Sequence, residues 1–184
     1  MLRGVAGDPH RRIVRALLAA SLPFALLAPS CTDFDGSPEY DRASVSRVVD
    51  GDTVEVRLEG GSLRKVRLIG IDAPESAHPD DSLNSEAGEK ASEFAESLLP
   101  PGTAVWLERD SSEADRYGRL LRYVWMEPPG PDGEPPEGSL ANAAIVAAGH
   151  ARPKSYPPDT ARQGQIERAV ERGASINRPP VPHA

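Results

Sequence analysis

The sequence contains little cysteine, few aromatic residues and no surplus of positive charge. One cysteine in 184 residues excludes an intramolecular disulfide and a zinc site built from several cysteines. Aromatic residues make up only 5%, whereas 19 prolines and 16 glycines interrupt the chain, which favours many turns and a small barrel over a long helical bundle. The formal net charge of −7 argues against a protein that coats nucleic acid non-specifically, because such binding needs a basic surface.

The first thirty residues differ from the rest of the chain. Four arginines precede or enter an apolar run over residues 13–28, which is too short for a membrane span of about 20 residues. A basic start followed by an apolar stretch is the pattern of an export signal, so we predict a signal peptide over residues 1–30. A buried N-terminal helix is the alternative. Removing the segment takes away four of 21 basic and one of 28 acidic residues, which lowers the formal net charge from −7 to −10.

The single cysteine, Cys31, directly follows this segment. The preceding residues, Leu-Ala-Pro-Ser, resemble a bacterial lipoprotein signal, in which the cysteine is lipidated and becomes the new N-terminus. We therefore predict an extracytoplasmic protein of a bacterium, either secreted or held on the cell envelope by a lipid at Cys31. Ordinary cleavage nearby, leaving a free thiol, is the alternative. We also predict a flexible tether over residues 31–43, a domain over 44–176, a disordered tail over 177–184 and a monomeric protein.

Residues 48–75 predict a β-hairpin that brings several charged side chains together. Apolar and charged residues alternate on both sides of a Gly60-Gly61 turn, as they do in half-buried strands. Folding at this turn places Asp52, at the start of one strand, opposite Asp72, at the end of the other, with Arg67 a little way in and Glu75 on the outgoing loop. Like charges at such distances repel, and a hard cation such as Ca²⁺ would relieve the repulsion.

The remaining elements complete a small barrel. The pattern predicts a first strand at 44–49, a helix from Asn84 or Ser85 to 98, strands at 103–109 and 119–126, a helix at 140–148 capped by Ser139, and a last helix at 159–172. His78, in the polar loop between the hairpin and the first helix, is interpreted as solvated. Residues 127–138 are read as a surface insertion without chemistry. We expect an α+β, β-rich fold with a five-stranded OB-type barrel and about three helices.

Three motifs carry a family resemblance. The runs DGDT at 50–53, VRLIGIDAPE at 66–75 and DRYGRLLRYV at 115–124 resemble the thermonuclease (staphylococcal nuclease-like) family, in the family's order, over about residues 44–172. The resemblance implies a calcium-dependent enzyme that cleaves DNA and RNA to products ending in 3′-phosphates. It also implies Ca²⁺ ligands at Asp52, Asp72 and the carbonyl of Ala73, where the best-known member has threonine. The catalytic residues that it implies are Arg67, Glu75 and Arg119.

These residue types suit phosphodiester hydrolysis. The aspartates would hold a hard divalent ion, the two arginines would bind phosphoryl oxygens, and Glu75 would position or deprotonate the attacking water. In the same region, Asp115 is expected to hold the turn that aims Arg119. We predict possible substrate contacts at Tyr117 and Tyr156, whose rings could stack on a base.

Each of these residues also has an ordinary structural explanation when it is taken alone. An aspartate in DGDT can cap a turn, and an exposed arginine can pair with a neighbouring acid. The alternative function is a catalytically silent OB-type module on the envelope that binds nucleic acid or protein, which the net acidity favours. A lipoprotein with a purely structural role explains the N-terminal segment but not the clustered charges. The nuclease hypothesis rests on all six positions occurring together.

Overall fold

The computed structural model describes residues 40–76, 80, 82 and 84–176, and in these a five-stranded barrel carries three helices. Around the barrel the strands follow the order Tyr40–Asp50, Thr53–Leu58, Leu63–Leu68, Leu120–Trp125 and Ala104–Glu108, and the last pairs with the first to close the barrel. All neighbouring pairs are antiparallel except Leu63–Leu68 with Leu120–Trp125. This confirms the predicted α+β fold with an OB-type barrel. No helix among the described residues is long and apolar enough to cross a membrane.

The elements have the following bounds. The barrel strands are β1 (Tyr40–Asp50), β2 (Thr53–Leu58), β3 (Leu63–Leu68), β5 (Ala104–Glu108) and β6 (Leu120–Trp125). A separate two-stranded ladder pairs β4 (Ile71–Asp72) with β7 (Arg152–Pro153). The helices are α1 (Glu86–Leu98), α2 (Ala141–Ala147) and α3 (Gln163–Ile176), with a 3-10 turn at Glu137–Ser139.

The first strand starts at Tyr40, four residues before the predicted residue 44. Its first five residues pair with β5, from Tyr40 opposite Glu108 to Ser44 opposite Ala104. The sequence YDRAS lacks the apolar alternation that would have marked a strand, and only Ala43 of these five is buried. Residues 40–43 of the predicted tether therefore belong to the barrel.

Helix α1 packs through small side chains. The Oγ of Ser85 accepts a hydrogen bond from the Gly88 amide at 3.1 Å, which satisfies a donor at the helix start as predicted. The buried positions are Gly88, Ala91 and Ala95, and Phe94 and Leu98 are partly buried against the core, whereas Ala87 is exposed. The first turn of the helix thus contributes a glycine, and no apolar side chain, to the packed face.

Helix α2 is capped differently from the prediction. Ser139 lies in the 3-10 turn and its hydroxyl donates to the Pro136 carbonyl at 2.7 Å, so the helix begins after Leu140 without a side-chain cap. As expected for a buried helix, five of its seven residues are buried. One of them is Asn142, whose side chain accepts from the Val124 amide at 2.9 Å and donates to the Ile69 carbonyl at 2.8 Å. These two bonds fix α2 against the barrel.

Helix α3 starts and ends later than predicted. Asp159 does not begin it, because its carboxylate accepts from the Ser112 amide at 2.7 Å and ties the preceding loop to the β5–β6 turn. Gly173 does not end it either. A Cβ at Gly173 would collide with the Ala147 carbonyl, so this glycine permits close contact between α3 and α2.

The predicted insertion is fixed to the barrel by two salt bridges of Arg162, one to a buried glutamate of the barrel and one to the insertion. Arg162, just before α3, contacts Glu108 at 2.8 Å and Glu134 of the insertion at 2.7 Å. The indole of Trp125 also donates to Glu108 at 2.8 Å. The sequence alone gave no reason to join these residues, which are separated by up to 54 positions.

Several sequence-based predictions fall outside the described residues. They are the signal peptide at 1–30, lipidation at Cys31, the tether up to residue 39, the solvated His78 and the tail at 177–184.

Candidate active site

One cleft at the end of the barrel gathers most of the predicted site residues. It has a volume of about 310 Å³, and its charged and aromatic lining consists of Asp50, Asp52, Arg67, Glu75, Asp115, Arg119, Tyr156 and Asp159. A neighbouring cavity of about 610 Å³ is lined by Asp72, Ala73 and, again, Glu75. Glu75 therefore borders both spaces, and each predicted catalytic or metal-binding residue borders at least one of them.

Arg67 is the centre of the charged cluster. Its guanidinium contacts the Asp52 carboxylate at 2.5 Å and lies 3.8 Å from that of Asp72. It also donates to the carbonyls of Asp52, Leu68 and Ile71 at 3.3 Å each. The two aspartates thus meet at one arginine, although Asp52 lies in the β1–β2 turn and Asp72 on the β4–β7 ladder. With a side chain only 13% exposed, Arg67 is also part of the local structure.

Asp52 is held at the barrel by two neighbouring features. A Cβ at Gly51 would lie 2.8 Å from the Cβ atoms of Ala73 and Ala91, so only glycine allows the β1–β2 turn to approach so closely. The approach lets the Ala73 amide donate to the Asp52 carboxylate at 2.9 Å. Burial of the carboxyl raises the pKa of Asp52 to about 7; the ion pair with Arg67 opposes this, and the charge of Asp50 adds to it.

The pKa of Asp72 is shifted in the opposite direction to that of Asp52. Arg152, paired with it across the β4–β7 ladder, donates to its Oδ2 at 2.7 and 3.0 Å, and Lys154 contacts its Oδ1 at 3.1 Å. Partial burial opposes ionisation, but the hydrogen bonds from Arg152 and Lys154 outweigh it and lower the pKa of Asp72. The hydroxyl of Tyr156 lies 3.4 Å from the same carboxylate. Asp72 therefore stays ionised.

Glu75 is positioned through its backbone. Its carbonyl accepts from the Ser85 amide at 3.0 Å, at the start of α1. A Cβ at Gly88 would collide with this carbonyl, so the glycine lets α1 pack against the loop that carries Glu75. The side chain itself is exposed and borders both cavities. Its carboxylate is thus accessible to water and substrate.

Arg119 is oriented by Asp115, as predicted. The guanidinium Nε donates to Asp115 at 2.7 Å, and the amides of Tyr117 and Arg119 donate to the same carboxylate at 2.9 and 3.0 Å. Tyr117 does not line the cleft, but its ring lies between Arg116 and Arg119, with their guanidinium carbons 4.7 and 5.5 Å from its centroid. Tyr117 is 68% exposed and contacts the cleft only through Arg119.

The predicted metal ligands offer hard oxygen donors. Within the described ranges, no group of three or more His, Cys, Asp and Glu side chains could hold a metal ion. The predicted set contains only two such side chains, Asp52 and Asp72, and takes its third oxygen from the Ala73 backbone. Two carboxylates around one cation, together with a carbonyl, fit the preference of Ca²⁺ for oxygen ligands.

Asp50 is a further candidate residue of the site, although in the sequence it is recognisable only as part of the DGDT turn. Its carboxylate accepts from the Asp52 amide at 3.1 Å and borders the same cleft. The spacing Asp-Gly-Asp could have indicated that Asp50 lies beside Asp52 at the site, because the intervening Gly51 holds both acids in one tight turn.

The comparisons with known proteins agree with the geometry. A sequence model described as a staphylococcal nuclease homologue matches residues 65–178. The chain is 34% identical to a thermonuclease of Staphylococcus hyicus over 134 residues, which cover 73% of this chain and 72% of that protein. It is 38% identical to a thermonuclease of Staphylococcus intermedius over 125 residues, covering 68% and 67%. An endonuclease of Bacillus subtilis, YhcR, is 34% identical over 117 residues, covering 61% of this chain and 9% of that protein.

The chain belongs to the staphylococcal nuclease family. The predicted family and the predicted class of enzyme, a nuclease hydrolase, are thereby confirmed. The family match begins at Lys65 and so includes Arg67, Asp72, Glu75 and Arg119, whereas Asp52 precedes it.

Proposed function

We propose that this nuclease is an exported, calcium-dependent enzyme that hydrolyses phosphodiester bonds of DNA and RNA and leaves 3′-phosphates. The observation that carries the proposal is the meeting of Asp52 and Asp72 at the Arg67 guanidinium, in a cleft that Glu75 and Arg119 also border. A binding module has no need of two aspartates and an exposed glutamate at the place where a phosphate would lie. The 3′-phosphate product and the metal follow from the family resemblance.

The proposed ligands of Ca²⁺ are the carboxylates of Asp52 and Asp72 and the carbonyl of Ala73. When bound, the ion would neutralise charge on the phosphoryl oxygens and attract a water molecule. Asp52 would bind it as the carboxylate, so ion binding releases a proton at pH values below about 7. Arg152 and Lys154, which now contact Asp72, would compete with the ion for that carboxylate.

The side chains of the cleft supply the remaining steps. Arg67 and Arg119 hold the phosphoryl oxygens through guanidinium hydrogen bonds, and Asp115 keeps Arg119 in place. Glu75 accepts a proton from the attacking water, whose oxygen bonds to phosphorus. The bond from phosphorus to the 5′-oxygen breaks, and that oxygen takes up a proton to leave a 5′-hydroxyl and a 3′-phosphate. Tyr117 and Tyr156 are proposed to contact the sugar or base beside this phosphate.

The decisive experiment compares Glu75→Gln with a matched control, Glu86→Gln, on single-stranded DNA and RNA. Glu86 is an exposed glutamate that pairs with Lys90 on α1. We expect Glu75→Gln to lower kcat about 10²–10³-fold without changing the melting temperature, and the control to behave as the wild type. Products are tested for a 3′-phosphate by phosphatase treatment and mass spectrometry.

Metal dependence is tested by adding Ca²⁺ and then EDTA to the same reactions. Activity of the wild-type protein that survives EDTA would refute the role of the ion. Nucleic-acid binding without any cleavage would favour the silent binding module.

Export and lipidation form a separate proposal. If Cys31 carries acyl chains, full-length protein from its bacterial host should pellet with membranes and partition into detergent, and Cys31→Ser should abolish this. Mass spectrometry of the mature N-terminus distinguishes a lipidated Cys31 from an uncleaved segment. An unmodified N-terminus beyond Cys31 in a freely secreted protein would refute lipidation and leave the proposed nuclease unaffected.

A further inference from the structure

The larger of the two cavities beside Glu75 is lined by the proposed metal ligands Asp72 and Ala73, but the mechanism given above places no part of the substrate in it. It measures about 610 Å³, within the usual range of ligand pockets. One wall is the segment Asp72–Glu75, and the opposite wall is formed by Gly149, His150, Ala151 and Arg152. Because Glu75 belongs to both spaces, a chain whose phosphate lies at Glu75 has room on both sides.

The wall opposite Glu75 offers an aromatic ring and a cation. The imidazole of His150 stacks on Phe94, with ring centroids 4.6 Å apart and planes inclined by 21°. Phe94 therefore supports one face of the ring at the cavity wall. Arg152 stands at the rim with a side chain 76% exposed, and Lys154 follows two residues later. An aromatic ring beside guanidinium and ammonium groups is the combination that binds single-stranded nucleic acid.

We propose that this cavity is a nucleotide subsite on the other side of the scissile phosphate from Tyr117 and Tyr156. The base of the flanking nucleotide stacks on His150, and Arg152 contacts the next phosphate. The inference rests on the proposed function, since the phosphate at Glu75 defines the two sides. It requires a substrate with at least one nucleotide on each side of the cleaved bond.

The test uses short single-stranded DNA with one cleavable phosphodiester and uncharged methylphosphonates at the other linkages. The nucleotide next to the cleavable bond, on the 5′ or on the 3′ side, carries either a base or an abasic sugar. For wild-type protein with Ca²⁺, we expect removal of the base on one particular side to lower kcat/KM about 5- to 100-fold through loss of stacking at His150. On that side, the His150→Ala variant should cleave the base-containing and the abasic substrate at the same rate. That rate should equal the rate of wild-type protein on the abasic substrate. His150→Phe should restore the preference for the base.

The control variant is Leu63→Ala, which truncates an exposed side chain on the hairpin at residues 53–68. It should leave the ratio of kcat/KM between base-containing and abasic substrates unchanged on both sides of the bond. A rate loss in His150→Ala that is the same on base-containing and abasic substrates, or no loss at all, overturns the subsite. The same oligonucleotides are bound to Glu75→Gln and to Glu75→Gln/His150→Ala and followed by fluorescence anisotropy. If wild-type protein cleaves nothing, the proposed function fails. The binding assay then decides the subsite by itself: tighter binding of the base-containing oligonucleotide that is lost in Glu75→Gln/His150→Ala supports the subsite, and no such difference refutes it.

Discussion

Replacing Asp52 with asparagine should stabilise the metal-free protein, and more so at high pH. The carboxyl is 7% exposed, and its pKa rises from 3.8 to about 7 on folding. The folded protein therefore retains a proton that the unfolded chain releases near pH 4. Stability falls as pH rises through the interval from about 4 to 7, and the whole penalty is present above pH 7.

The magnitude follows from these two pKa values. Linkage gives a loss of about 2–3 kcal/mol in the free energy of unfolding between pH 5 and pH 8 from this group alone. An amide fits the site, because its oxygen can accept from the Ala73 amide while its nitrogen donates to the hydroxyl of Thr53, 3.2 Å from the other carboxylate oxygen. The gain from Asp52→Asn should therefore be about 1–2 kcal/mol at pH 5 and about 2–3 kcal/mol larger at pH 8.

The assay is urea unfolding in EDTA at pH 5 and pH 8. Asp41→Asn, which removes an exposed aspartate on β1, serves as the matched control and should show little dependence on pH. The opposite result is equally informative. If Asp52→Asn destabilises the protein more at pH 8 than at pH 5, the 2.5 Å contact with Arg67 outweighs burial, and the carboxylate is a stabilising ion-pair partner.

Two further predictions concern the neighbouring groups. Arg152→Gln should raise the affinity for Ca²⁺ about 1.5- to 5-fold in calorimetry without nucleic acid, because it removes an exposed ion pair that occupies Asp72; unchanged or weaker binding would contradict this competition. Gly88→Ala should lower the melting temperature and, in protein that still folds, kcat, because its Cβ collides with the Glu75 carbonyl. Gly60→Ala, where a Cβ meets nothing within 4 Å, is its control, and equal behaviour of the two variants would show that the loop tolerates the displacement.

Much of the fold and the composition of the site could be predicted because the information is local. The alternating hairpin and its Gly-Gly turn determine which side chains share an end of the barrel, and Asp115 holds Arg119 only four residues away. Helix α1 was predicted within two residues, since Ser85 and the following pattern lie next to one another in the sequence.

What could not be predicted depends on contacts between distant segments. Asp72 was expected at the end of the hairpin, but it lies on the separate β4–β7 ladder, and its partner Arg152 is 80 residues away. Gly173 has the usual appearance of a helix end and instead permits contact with α2. The structural part of Arg67 also depends on such contacts. Its hydrogen bonds to three carbonyls show that replacing it by alanine would cost stability as well as activity, so Glu75 is the cleaner test of catalysis.

The same contacts explain how an acidic chain can act on a polyanion. Arg67 and Arg119, the two cations of the cleft, are paired with Asp52 and Asp115, and Arg152 of the neighbouring cavity is paired with Asp72. Five acidic residues line the cleft against these two arginines, so without a metal it has no excess positive charge with which to hold nucleic acid. An ion bound at Asp52 and Asp72 would take over two of these carboxylates and leave Arg67 and Arg152 available for phosphates. In such a site the positive charge is present only together with the metal, so an acidic surface elsewhere limits non-productive binding without weakening the cleft itself.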